Sequence, residues 1–236
     1  LTSHLISICV SLLLIRGNGD KNKLDKFALI FTNGGFMGIP LIAAILGSES
    51  VIFASIYVMV FNLTQWTVGV LLLTGRSNIK NTLKKVILNP GIISIIIGFI
   101  IFLFSIKLPS TVSTAIDFIA SLHTPIPMIL IGTYIARTNV LSIFTNIRVY
   151  YISFLRLIII PLLMIPVYFI YPTSNNIVIA NFIATACPVA VLASMFPANY
   201  GYDPDHNLGS ITVSTLLSVI TIPLMVMLLN LIVKPL

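Results

Sequence analysis

The sequence predicts an all-α integral membrane protein, and three observations carry that prediction. Of 236 residues, 58% are hydrophobic and 8% are charged, against about 25% charged in an ordinary soluble domain. Uncharged stretches cover 28–46, 50–75, 86–106 and 207–233, each near or above the ~20 apolar residues that cross the hydrocarbon as a helix. They show little of the roughly ten-residue alternating pattern of barrel strands. Backbone amides in lipid bond within their own segment, so these runs are expected to be helical. A soluble globule of mean hydropathy +1.09 is excluded, because it would expose more apolar surface than solubility permits.

Eight spans follow in order: 1–15, 27–46, 51–74, 88–106, 115–136, 149–170, 176–197 and 207–233. Span one opens at Leu1 already inside an apolar run, with no basic leader and no small-residue cleavage site. It therefore does not read as a signal peptide, and more chain is expected upstream. Span two is interrupted by Asn33-Gly34-Gly35-Phe36-Met37-Gly38-Ile39-Pro40. Span three carries Asn62, Thr64 and Gln65 beside Trp66. Residues 157–202 hold no charge, too long a run for one helix, and the turn cluster 171–176 divides it into spans six and seven. Span seven is interrupted by Thr185-Ala186-Cys187-Pro188, and span eight carries Ser210, Thr212, Ser214, Thr215 and Ser218, expected to pack helices.

Charge sets the expected orientation. Arg16, Lys21, Lys23, Lys26, Arg76, Lys80, Lys84, Lys85, Arg137 and Arg148 fall in alternate loops, whereas the opposite side has only Lys107 and Lys234. Cations accumulate on the cytoplasmic side, so the basic loops are expected there and the C-terminus outside. The same rule accounts for the net charge of +7 without a nucleic-acid partner. Asp203 and Asp205 also fall on the cytoplasmic side, and acidic residues count little in this rule.

The interrupted spans run in opposite directions, and each precedes one long apolar span. This is the sequence sign of an inverted-topology repeat. Residues 1–75 then represent the last three helices of a first repeat, 76–87 a cytoplasmic linker, and 88–236 a complete second repeat of five. Three glycines and a proline within Asn33–Pro40 free backbone groups at bilayer depth, because proline removes an amide and glycine admits conformations closed to other residues. Such groups are tolerated beside protein or a water-lined cavity, and a half-helix N-terminus attracts anions. The alternative is a packing kink. Asn62 and its neighbours either bond an adjacent helix or line a pathway. Thr185, Asn181 and Ser194 offer hydrogen bonds in or near span seven. His123 is a candidate proton relay or an interfacial residue, Arg156 is expected to snorkel toward the basic face, and Asp117 to mark the outer interface.

No HExxH, GxSxG, Walker A or paired intramembrane aspartate occurs, so no enzymatic activity is expected. Cys9 and Cys187 lie in apolar runs without metal or redox spacing, and neither a metal nor a cofactor is expected.

The ordered motifs are similar to those of a known family. Asn33-Gly34-Gly35-Phe36-Met37-Gly38-Ile39-Pro40-Leu41 resembles the fourth-helix signature of the auxin efflux carrier family. Asn89-Pro90-Gly91-Ile92-Ile93, Leu108-Pro109, and Thr124-Pro125 through Ile131-Gly132 resemble its middle region. Cys187-Pro188, Tyr200-Gly201-Tyr202-Asp203 and Ser214 through Pro223 resemble its closing helices. The resemblance implies a ten-helix carrier of inverted five-helix repeats, eight helices being present here, with two proline-broken helices crossing at the substrate site. It assigns substrate contact to Asn33 and the crossover to Pro40 and Pro188; Gly34, Gly35, Asn62 and Thr185 complete the candidate binding set. It further implies alternating access in the plasma membrane on a small carboxylate such as malate or malonate, since short loops favour a bacterial-type permease over the plant auxin exporters. A homodimer and coupling to protons or sodium are open expectations. A channel-like pore and a non-functional truncated membrane protein are the alternatives.

Overall fold

The computed structural model describes residues 1–75, 90–122, 125–126, 129, 132–133, 136, 140–170 and 174–232. Among them the chain is helical and forms no β-strand. Three helices are long and apolar enough to cross a membrane: α4 (Ser48–Thr74), α8 (Ile147–Ile170) and α11 (Leu208–Ile232). They fall on expected spans three, six and eight. Shorter helices fill the rest: α1 (Thr2–Leu14), α2 (Asp20–Ile30), α3 (Gly34–Leu46), α5 (Pro90–Leu103), α6 (Ser110–Ser121), α7 (Val140–Thr145), α9 (Asn175–Ala186) and α10 (Leu192–Ala198). Span five was expected from 115, but α6 begins at Ser110, directly after Pro109, whose fixed φ suits the residue before a helix. The 76–87 linker, Asn89 and His123 lie outside the described residues.

The helices are arranged for lipid rather than water. On α1 the inward face is Ser3, His4, Ser7 and Ser11, while Leu5, Leu12 and Leu13 point outward. Lipid tails are as apolar as leucine, so small and polar residues, which permit close approach and hydrogen bonding, take the helix-facing side. The same logic leaves Ile96, Phe99, Phe102, Phe118 and Ile119 of α5 and α6 exposed.

An aromatic stack ties the two halves of the chain together. Phe27 lies 4.4 Å from Phe31 and 5.5 Å from Phe196, and Phe31 meets Phe61 edge-on at 5.5 Å. Trp66 closes on Phe196 at 4.9 Å. Gly69 permits this contact: a Cβ there would stand 3.1 Å from the Phe27 ring and 3.2 Å from that of Phe31.

Candidate functional site at the joint of two interrupted helices

Each interruption begins where the chain leaves its helix for an extended conformation. After Ile30 the chain turns extended at Phe31, and after Ala186 it turns extended at Cys187, ahead of Pro188, which has no N–H. The two breaks are joined as a short antiparallel bridge between Thr32 and Val189. Asn33 N–H donates to the Pro188 carbonyl at 2.8 Å, and Ala190 N–H donates to that of Phe31 at 3.0 Å. Val189 N–H donates to Ser214 Oγ at 3.1 Å.

The carbonyls left behind are satisfied by side chains, as buried backbone groups must be. In a continuous helix the Ala184 carbonyl would accept from residue 188, which is proline; Thr32 Oγ1 donates to it instead, at 2.9 Å. The Ala193 carbonyl lacks its donor because residue 197 is proline, and Asn207 Nδ2 donates to it at 2.8 Å. Leu29 loses its partner because Asn33 N–H is committed across the joint, and Thr185 because Val189 N–H turns to Ser214. Arg156 donates to both, through Nη1 at 3.0 Å to Leu29 and Nη2 at 2.5 Å to Thr185. Its Nε reaches the Cys187 carbonyl at 3.2 Å and Nη1 also Ser7 Oγ at 3.4 Å.

Arg156 was expected to snorkel toward the basic face. It is instead wholly buried, turned inward by the Leu29 and Thr185 carbonyls, which have lost their helical donors. It sits in a π-helical turn at Leu155–Ile159, and the other π-helical turns, Gly34–Gly38 and Gln65–Gly69, also belong to helices packed at the joint. Such turns usually mark positions where the regular ladder is broken for a purpose.

The glycines act differently from the sequence expectation. None of Gly34, Gly35 and Gly38 takes a positive φ; two of them serve close approach. A Cβ on Gly34 would stand 3.1 Å from the Tyr57 ring, and one on Gly38 3.3 Å from Cys187 Sγ. Pro40 is not at the break either. The interruption falls at Phe31–Asn33, and Pro40 lies past it within α3, where the π-helical turn Gly34–Gly38 passes into regular α-helix.

A cavity of about 30 Å³ lies at the joint, lined by Thr32, Asn33, Gly35, Phe61, Asn62 and Ala190 among others. Asn33 is buried, and its Oδ1 has no hydrogen-bond partner. The first turn of α3 contributes Gly35 and Phe36 to the lining, so the positive end of that helix faces the cavity. Beyond Asn62 and Val58 an apolar groove of about 520 Å³ opens between α4 and α5; both residues line both spaces. The structure thus brings Asn33, Gly35 and Asn62 to one cavity. Gly34 is packed against Tyr57, and Thr185 points away: its hydroxyl donates to the Asn181 carbonyl at 2.8 Å. Pro188 contributes its carbonyl to the joint. His4, which sequence reasoning passed over, is buried beside Tyr57 at 4.9 Å, with Nε2 unpartnered.

Toward the end of the molecule carrying the basic residues of α2, polar contacts close over the joint. The buried Asp25 carboxylate accepts from Arg148 Nε and lies 2.9 Å from His206 Nε2. Asn207 Nδ2 also donates to the Leu24 carbonyl at 3.1 Å, and Ser194 Oγ to that of Pro204 at 2.5 Å. Lys23 Nζ donates to Tyr202 Oη at 3.0 Å, which in turn donates to the Leu73 carbonyl at 2.6 Å. The Tyr202 hydrogen bond, with Asp20 nearby, raises the Lys23 pKa above its ordinary value. No group of three or more metal-ligating residues occurs among the described residues.

Comparison with known proteins supplies the class. No curated protein shows significant similarity to the chain. A family model described as membrane transport protein matches residues 76–226, more than half the sequence. That stretch holds α8, the Pro188 break, α10 and most of α11. With its apolar spanning helices and its interrupted pair, the chain belongs to the membrane transport protein family.

Proposed function

We propose that the chain is a secondary carrier for small organic anions such as malate or malonate, with the substrate held where the interrupted helices meet. The observation that carries this reading is Asn33: a buried amide whose Oδ1 is unpartnered, lining a cavity beside the N-terminal turn of α3. An unpartnered buried acceptor is costly and is completed by a donor, a water or a substrate hydroxyl, while the NH₂ of the same amide donates to a carboxylate. The amide NH₂ of Asn33, with Asn62 and the α3 dipole, suits a carboxylate held weakly enough to be released. Gly34, Gly35 and Thr185 shape or brace the site, Pro188 keeps the second helix interrupted, and Pro40 lies within α3 beyond the first break.

At about 30 Å³ the cavity has room for one water molecule, less than a dicarboxylate needs. Carriage by alternating access then requires the two interrupted helices to move as one body, opening the joint first to one face and then to the other. The stitched joint supports that unity. The Asp25 and Tyr202 contacts are proposed to be the cytoplasmic closure of a plasma-membrane protein, with the basic loops inside and the C-terminus outside. The inverted repeats, the division at 76–87 and assembly as a homodimer belong to the same reading.

The test is counterflow of labelled malate, malonate and an indole carboxylate into proteoliposomes. Saturable counterflow is expected, and Asn33→Ala should reduce it at least tenfold while leaving membrane insertion unchanged. Normal kinetics in Asn33→Ala would refute the site, and non-saturating flux without trans-stimulation would identify a channel instead of a carrier.

A further inference from the structure

We infer that Arg156 is a built-in cation at the helix joint, occupying the position that a coupling sodium ion would take there, so that the joint is assembled without one. The observations are geometric. Two helices, α2 and α9, end at the same place, and their terminal carbonyls converge: Leu29 from one, Thr185 and Cys187 from the other, with Ser7 Oγ as a fourth oxygen. Each helix C-terminus carries about half a negative charge, so two together sum to about one. Oxygens of unwound backbone and half-helix C-termini are the kind of ligand set that holds sodium inside carriers. Here all four are held by one guanidinium, which supplies about one positive charge.

Besides these oxygens the guanidinium interacts with Tyr57, a hydroxyl rather than a carboxylate, so it has no counter-ion among the described residues. Arg156 is completely buried, and none of the ion pairs among the described residues includes it. A buried cation without a carboxylate is very costly unless dipoles take the place of the counter-ion, and the two helix ends are those dipoles. The guanidinium fork also does what a point cation could not, donating in three directions at once to oxygens on α1, α2 and α9. It is therefore a positioning residue: it acts on the site through the joint, and it touches no lining residue of the cavity by hydrogen bond.

The experiment needs no substrate, and so stands or falls independently of the carboxylate reading. Thermal unfolding of the purified chain in detergent is followed in choline chloride, in sodium chloride at equal ionic strength, and in choline chloride with millimolar methylguanidinium. The wild type is expected to melt at one temperature in all three. Arg156→Ala should melt several degrees lower in choline and recover saturably with methylguanidinium or sodium, whereas Arg156→Met, which fills the space without a charge, should not recover. A saturable rise of the wild-type Tm with sodium would overturn the inference, because a sodium site would then exist beside the arginine. Arg156→Ala unresponsive to either cation would also overturn it. If Arg156→Ala does not fold, Arg156→Lys decides: a folded, sodium-indifferent Lys variant supports the built-in charge, and a sodium-dependent one refutes it.

Discussion

Thr32→Val probes how the joint is held, because it deletes one hydroxyl and preserves shape. Thr32 is 1% exposed, and its Oγ1 donates to the Ala184 carbonyl at 2.9 Å and lies 3.2 Å from that of Cys187. Cys187 keeps the Arg156 Nε donor. Ala184 keeps nothing equivalent, since the residue four positions on is Pro188. One buried acceptor left unmade costs about 1–3 kcal/mol. For a chain of this length each kcal/mol moves Tm by about 2–4 °C, so the midpoint should fall by about 2–12 °C. The chain has a single tryptophan, and Trp66 rests edge-on against Phe196 just past the second break. Its fluorescence therefore reports the joint directly. Thr32→Ser, which keeps the donor, should lose about 1 kcal/mol for its missing methyl. If Thr32→Val melted with the wild type, the substitution of a side-chain donor for the missing amide would be refuted.

Two further outcomes are expected. Asp25→Ala removes the carboxylate between Arg148 and His206; with Arg148 half-exposed and able to rehydrate, unfolding should cost about 1–3 kcal/mol less. Asp20→Ala, at an exposed carboxylate, should stay within about 0.5 kcal/mol of the wild type. Equal effects in denaturation melts would show that the buried cluster does not hold the basic end together. Gly209→Ala places a Cβ 2.8 Å from Val149 Cγ2 and 3.3 Å from Ile143 Cγ2. Val149 is β-branched and stiff, so α11 is pushed from α8 at a cost of about 1–3 kcal/mol. Adding Val149→Ala should restore much of the Tm, and an unaltered Tm in Gly209→Ala alone would remove the packing argument.

By itself the sequence determined the helical, apolar class, because lipid leaves a spanning chain few ways to satisfy its amides; α4 and α11 follow from uncharged run length, and the end of α8 from the turn cluster 171–176. It also marked the second interruption through Cys187–Pro188, since a proline's missing amide is visible without a partner, whereas Asn33–Pro40 lies beside the first. What it misplaced were effects that depend on a second segment. Pro40 looked like the breaking residue, yet the break is at Phe31–Asn33, where Asn33 N–H leaves its own helix for Pro188, 155 residues away. Arg156 looked like an intramembrane cation that snorkels to the basic face, yet it turns inward because Leu29, Thr185 and Cys187, remote in the chain, present carbonyls to it. The absent N–H of Pro188 signals that Ala184 needs another donor; only the tertiary structure decides that Thr32 supplies it. The need is local and follows from covalent chemistry, whereas the donor depends on which segments the fold brings within 3 Å.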